Sequence, residues 1–290
     1  MAKNKEQKRK NIKTKLIKRT AAAIFIILTL AITYLPLPIT WDEIYAAAGF
    51  KLPKGDLNLL DLSVIFIDVG QGDSILIHTD NTNILIDTGP EGNAQNIKNT
   101  LNQFNITEIN YLIITHQHDD HIGSLEQLRR LILIDNEIIP TEDTKMSGMT
   151  QTFNDITLEF LGPIYLSDNL NNMSLVIKLT YKNKTFLFMA DAESEEEANL
   201  IRQYKENLKA DVIKVGHHGS DSSSSLDFLS LVQPEYAVIS VGKDNDYGHP
   251  HRATLNALQQ VGTKVYRTDR DGTIVCTTDG EKIVFHRLES

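Results

Sequence analysis

The sequence predicts an α/β protein in which two sheets carry helices on their outer faces. Three observations support this. Short apolar strands paired as hairpins open the main body of the chain, later strands alternate with helical segments, and several strands end in a carboxylate or an imidazole.

Taken in order, residues 40–62 read as a linker and domain entry, with Pro53-Lys54-Gly55-Asp56 as a turn. Strands are expected at 63–68, 73–79 and 83–87, and Asp80-Asn81-Thr82 joins the last two as a hairpin. Ile97, Leu101 and Phe104 place a helix over 93–104. Tyr111-Leu112-Ile113-Ile114 is a short buried strand, and a helix follows over 122–131. Further strands are expected at 131–134, 137–139, 156–160, 174–181 and 184–190. Residues 193–208 form a helix, acidic at its start and basic toward its end, as the helix dipole favours. Val212-Ile213-Lys214-Val215 is another strand, and Ser220 to Ser225 is a polar loop feeding a helix from Leu226. Strands at 236–241, 264–267, 273–277 and 282–286, with a helix over 252–261, complete the pattern.

The N-terminus differs in kind. Residues 1–20 carry nine Lys or Arg against Glu6 alone, and residues 21–39 are almost wholly apolar. A basic segment before an apolar one has the form of a signal-anchor or a signal peptide, with Ala46-Ala47-Ala48 as a distant cleavage position. Positive charge stays inside, so the remainder, a domain over 61–290, is expected outside the membrane. With one candidate span the chain is not expected to be a DNA channel. Lone Cys276 excludes an intramolecular disulfide.

The whole chain carries −9, and residues 1–20 carry +8, which leaves −17 on the remainder. Such a domain has no net attraction to a phosphate backbone. Nucleic acid would need a local basic patch, for which Lys214, Lys243, Lys264, Arg267, Arg270 and Arg252 are candidates, or bound metal ions.

Four potential metal ligands fall within Thr115-His116-Gln117-His118-Asp119-Asp120-His121, namely His116, His118, Asp120 and His121. In extended backbone His116 and His118 share a face, while a helix starting after them turns Asp120 and His121 toward a second point. The spacing suits two ions better than one. Imidazole with carboxylate suits zinc, and also manganese or iron. Asp87, Asp191 and the pair His217-His218 arrive at the ends of other apolar strands.

These segments resemble the metallo-β-lactamase superfamily, and within it the hydrolase domain of the ComEC/Rec2 competence group. The carrying motifs are Asp68-Val69-Gly70-Gln71-Gly72-Asp73-Ser74, Leu85-Ile86-Asp87-Thr88-Gly89, the histidine cluster with Ile122-Gly123-Ser124, Asn172-Met173-Ser174-Leu175-Val176, Val215-Gly216-His217-His218-Gly219-Ser220 and Tyr247-Gly248-His249-Pro250-His251. The resemblance implies a four-layer αβ/βα sandwich with the site at one edge.

It also implies two divalent ions, zinc or manganese. His116 and His118 would hold one ion, Asp120, His121 and a later His the other, and Asp191 would bridge. Because His217 comes first after its strand, it is expected as that later ligand, with His218 beside the substrate. Asp87 would orient a ligand loop. The superfamily's further His is absent between His121 and His217, so water or an oxygen of Asn172 or Ser174 would complete the first site, leaving it weaker. Asp119 or Asp120 would orient a water, and His249 would touch phosphate or protonate the leaving group. The implied activity is phosphodiester cleavage, with DNA as the expected substrate. Phosphocholine esterase, lactonase or β-lactamase activity, or a non-catalytic accessory role in DNA uptake, are the alternatives.

Overall fold

In chain order the strands are β1 (Leu62–Phe66), β2 (Ile75–Thr79), β3 (Thr82–Ile86), β4 (Glu108–Ile113), β5 (Leu133–Ile138), β6 (Thr150–Phe153) and β7 (Ile156–Phe160). They continue as β8 (Ile177–Tyr181), β9 (Lys184–Phe188), β10 (Val212–Lys214), β11 (Tyr236–Ile239), β12 (Lys264–Arg267), β13 (Ile274–Thr278) and β14 (Ile283–Arg287). The computed structural model describes residues 61–288 apart from residue 142. The expected basic segment 1–20, apolar segment 21–39 and linker 40–60 lie outside the described residues. Among the described residues no helix is long and apolar enough to cross a membrane.

The strands form two seven-stranded sheets, ordered β14-β13-β1-β2-β3-β4-β5 and β12-β11-β10-β9-β8-β7-β6. Their facing sides bury Val64, Phe66, Ile77 and Ile84 from one sheet against Leu158, Phe186, Phe188 and Val212 from the other. The Phe66 and Phe188 rings lie 6.4 Å apart. β1 is buried along its whole length, which is why Val64, Ile65 and Phe66 are apolar in succession rather than alternating with polar residues.

The helices are α1 (Ala94–Gln103), α2 (Asp119–Ile122), α3 (Leu125–Leu128), α4 (Ser194–Tyr204), α5 (Leu226–Val232), α6 (Arg252–Gln260) and α7 (Thr268–Asp271). On the outer face of the second sheet, Leu187, Ile213, Ala237 and Ile239 pack with Leu200 of α4, Phe228, Leu229 and Val232 of α5 and Leu258 of α6.

Several sequence expectations are adjusted. The single helix over 122–131 is two short ones, because Ser124 is drawn away by Pro90. Its hydroxyl donates to the Pro90 carbonyl at 2.6 Å and accepts from Asn93 N at 2.8 Å. The two strands at 131–134 and 137–139 are one, β5. The helix over 193–208 ends at Tyr204 and continues as a 3-10 turn, because Lys205 adopts a left-handed conformation at φ 48°. β6 was not expected, since Thr-Gln-Thr-Phe lacks apolar alternation; it is an edge strand. Nor was α7.

Parallel pairing sets where the site forms. β3 pairs parallel with β4, and β9, β10 and β11 run parallel to one another. The loops leaving their carboxyl ends converge, as the crevice at such strand ends does in open α/β sheets.

Candidate metal centre

Most site residues lie just beyond the carboxyl end of a strand, on the turn, extended segment or short helix that follows it. β3 ends into Asp87, which holds a left-handed φ of 61° and turns its carboxylate back under the next loop. There it accepts from Thr115 N and Thr115 Oγ1, both at 2.7 Å, and from His121 Nδ1 at 2.8 Å. Beyond β4 the chain stays extended through His116 and His118, whose Nε2 and Nδ1 lie 3.0 Å apart. α2 then opens at Asp119 and carries Asp120 and buried His121 inward.

Asp191 follows β9 through Ala190, itself at φ 47°. Its two oxygens face different groups. Oδ1 lies 3.3 Å from His121 Nε2 and 3.4 Å from His218 Nε2. Oδ2 lies 3.9 Å from His116 Nε2 and 3.8 Å from His217 Nε2. Asp120 Oδ2 reaches His218 Nε2 at 3.1 Å. The ligand-bearing atoms thus form two sets that share Asp191: Asp120, His121, Asp191 and His218, and His116, His118 and Asp191.

His218, rather than His217, is the residue brought together with Asp120, His121 and Asp191. Strand alternation does not apply there, because Gly216–Gly219 is a 3-10 turn in which both histidines have positive φ, 45° and 52°. The second histidine swings inward and is buried, with Nδ1 donating to the Ser240 carbonyl at 2.9 Å. His217 stands on the pocket wall, its Nδ1 near Glu193 Oε1 at 3.2 Å and Ser222 Oγ at 3.3 Å. The side chain of Asn172 also points elsewhere: Oδ1 accepts from Glu193 N at 3.0 Å and Nδ2 donates to Glu195 at 3.2 Å. Ser174 Oγ lies 3.4 Å from His116 Nδ1 and accepts from Asp191 N at 3.2 Å.

A residue outside the expected set closes the floor. Asp73 is buried, its Oδ2 2.5 Å from Lys214 Nζ and its Oδ1 3.5 Å from His218 Nδ1. Lys214 is fully buried, so it cannot serve as a basic patch for nucleic acid. Arg267 is bound to Asp269 at both Nε and NH2. Lys243, Lys264, Arg252 and Arg270 are exposed, but among the described residues no Lys or Arg lines the pocket. Gly72 permits the close approach of the loop that carries Asp73: at φ +147°, a Cβ would meet the Asp120 carbonyl oxygen at 2.3 Å.

The electrostatics test whether a cation fits. Asp73 has Lys214 as its partner, whereas Asp87, Asp120 and Asp191 have only histidines as cationic neighbours. His121 Nε2 and Asp191 Oδ1 are buried without a hydrogen-bond partner. Burial opposes charging of His218, but Asp191, Asp120 and Asp73 outweigh it and push its pKa up to about 9. His121 is raised well above the ordinary range, with burial outweighed by Asp191 and Asp87. Burial works against Asp120 too, yet His218 and His121 bring it down to about 2. The buried carboxylates therefore demand positive charge, and open imidazole and carboxylate donors are the chemistry by which a divalent cation supplies it.

The pocket above the two sets holds about 330 Å³ and is lined by Gln71, His118, Asp119, Asn171, Tyr247 and His249 besides cluster residues. His249 lies with its ring 6.5 Å from His218 and 5.6 Å from His217.

The Metallo-beta-lactamase superfamily profile matches residues 67–243, more than half of the chain. The chain belongs to this superfamily. ComE operon protein 3 of Bacillus subtilis (strain 168) is 32% identical over 251 residues, covering 73% of this chain and 32% of that protein. Competence protein ComA of Neisseria gonorrhoeae is 30% identical over 84% of this chain and 39% of its own length. The chain thus spans about a third of these two relatives. Exodeoxyribonuclease YycJ of Bacillus anthracis is 24% identical over 57% of this chain and 75% of its own. Among solved structures, the metallo-beta-lactamase fold protein YhfI from Bacillus subtilis covers 78% of this chain and 100% of its own, with a TM-score of 0.50 and 12% identity, a likeness of fold. The two sheets with outer helices are therefore the αβ/βα sandwich of the superfamily, and its histidine and aspartate cluster suits divalent metal.

Proposed function

We propose that this domain is a metal-dependent phosphodiesterase acting on DNA, tethered to the membrane with the site outside. One observation carries the catalytic part: Asp191 turns one oxygen toward each of the two ligand sets. That division suits a pair of ions clamping one phosphodiester. Similarity to a deoxyribonuclease and to a competence protein supports DNA as the substrate. The tether rests on the nine basic residues preceding the apolar segment 21–39.

Asp120, His121, Asp191 and His218 would hold the tighter ion, and His116, His118 and Asp191 the weaker, zinc or manganese in each. Bound there, such ions supply Lewis acidity and a water acidic enough to attack near neutral pH. Asp87 holds His121 by its Nδ1, and Thr115 links Asp87 to the His116 ring, so both imidazoles present Nε2 inward. Asp119, exposed on the pocket lip, is placed to orient an incoming water.

His249 takes a narrower role than the sequence implied. Burial first, then His217, His218 and His251, hold its pKa down to about 4, so the ring is neutral at pH 7. Its Nδ1 faces Gln71 Nε2 at 3.5 Å. That leaves Nε2–H to donate to a phosphate oxygen as a neutral donor rather than to deliver a proton.

The test is a screen of the chelated and metal-reloaded domain against bis(p-nitrophenyl) phosphate, single-stranded DNA, nitrocefin and a lactone. Turnover of the first two supports the reading. Turnover of the lactam or lactone alone overturns it.

A further inference from the structure

We propose that Tyr247 is a stacking platform for a nucleobase of the substrate, an inference that rests on the phosphodiesterase reading above. Tyr247 is 66% exposed, yet it lines the pocket over the ligand sets. Its ring lies 5.6 Å from that of His249 at an interplanar angle of 24°, and His249 lies 6.5 Å from His218 at 28°. Two successive stacked pairs thus lead from the solvent to the buried cluster. The outermost ring keeps most of its surface open.

The loop backbone that carries this ring is held by hydrogen bonds. Asn245 Oδ1 accepts from Tyr247 N at 3.2 Å and from His249 N at 3.0 Å. Asn245 Nδ2 donates to the carbonyls of Gly242 and His249 at 2.9 and 2.7 Å. The Tyr247 carbonyl lies 3.2 Å from His251 Nε2, and Gly248 supplies the left-handed turn at φ +73°. No backbone group of Tyr247 is needed to hold a ligand.

The electrostatics explain why stacking is required. Among the described residues no Lys or Arg lines the pocket, and the chain beyond residue 20 carries −17. Within the pocket, affinity for a nucleic acid strand then has no described side-chain cation to draw on. Aromatic stacking serves instead, because every base has a π-face and none of the strand's negative charge need be neutralised. The platform would take a single-stranded or splayed base without regard to sequence.

The experiment compares ten-residue oligothymidylate with an abasic deoxyribose-phosphate strand of equal length, using the full chain loaded with manganese. Wild type should show a KM for the base-bearing strand about five- to a hundredfold lower than for the abasic strand, the range expected of one stacked base. Tyr247→Ala and Tyr247→Leu should bring that ratio close to one, mainly through KM, since a stack made equally in ground and transition states does not alter kcat. Tyr247→Phe and Tyr247→Trp should keep it. A ratio retained in Tyr247→Leu overturns the proposal, as does a wild type that cleaves both strands with equal KM, while the phosphodiesterase reading survives either result. A wild type that cleaves neither strand removes that reading and this inference together.

Discussion

Lys214 Nζ lies 2.5 Å from Asp73 Oδ2, and both side chains are buried beneath the ligand cluster. Lys214 also donates to the carbonyl of Ala190, the residue before Asp191. One buried cation therefore joins the first site loop to the turn that presents the shared carboxylate. Lys214→Met would take the nearest cation from buried Asp73 and leave it only the His218 and His121 rings at 3.5 and 4.0 Å, so the loss should approach the about 3–5 kcal/mol of a broken buried pair from below. Urea unfolding of the metal-free chain should show a loss of that order. The double variant Lys214→Met with Asp73→Asn should recover part of it. A single variant as stable as wild type would mean the pair contributes nothing.

A second prediction concerns pH. His218 has a folded pKa of about 9, above the ordinary value of 6.5, so its contribution is fully present below about pH 6.5 and is lost as pH rises through about 9. Asp120, held at about 2, contributes above its ordinary 3.8 and is lost as pH falls through about 2. The metal-free domain should therefore lose melting temperature between pH 6.5 and 9 in chelator. Metal affinity should move the opposite way, rising with pH up to about 9, because an imidazole must release its proton to ligate. Calorimetric titration in buffers of different ionisation enthalpy would count the protons released. Affinity independent of pH would exclude His218 as a ligand.

A third prediction separates two residues of the same pocket. Asp191→Ala removes an oxygen from each ligand set, so metal content and turnover should both collapse. His249→Ala should keep its metal and lose about 10²–10³-fold in kcat, the usual effect of removing one transition-state donor. His249→Gln should restore part of the rate. Full activity in His249→Ala would remove its role.

Much of this site was legible in the sequence because its ligands cluster. His116 to His121 lie on one strand end, and Asp87, Asp191 and the His217-His218 pair each end an apolar run. The choice between His217 and His218 was not legible, since two successive left-handed residues undo the ranking by which residue first follows the strand. Lys214, a basic-patch candidate in the sequence, is instead buried. A lone lysine inside Val-Ile-Lys-Val signals a buried counter-charge, which Asp73 supplies from a distant loop. Glu196 and Glu197 read as a dipole-matching helix start, but both are buried. Glu196 accepts from Ile164 N at 2.7 Å and Glu197 from Ser225 N at 2.9 Å, bracing loops that no local pattern connects. Strand ends shifted by one and two residues where turns at Asp87 and Ala190 cut the apolar runs short.

A fourth prediction tests the tether. Protease added to intact cells should digest the domain and spare the first 20 residues. A domain protected until the membrane is opened would reverse the orientation, and a soluble mature form would indicate cleavage of the apolar segment.

The central claim is that two ion sites sharing Asp191 cleave a phosphodiester. Its most direct test is a manganese and zinc titration of the chelated domain, with bound metal and cleavage of single-stranded DNA followed in the same samples. The account predicts one tight equivalent with little activity, then activity rising as a second, weaker equivalent binds. Cleavage complete at the first equivalent, or no cleavage with both sites filled, would contradict it.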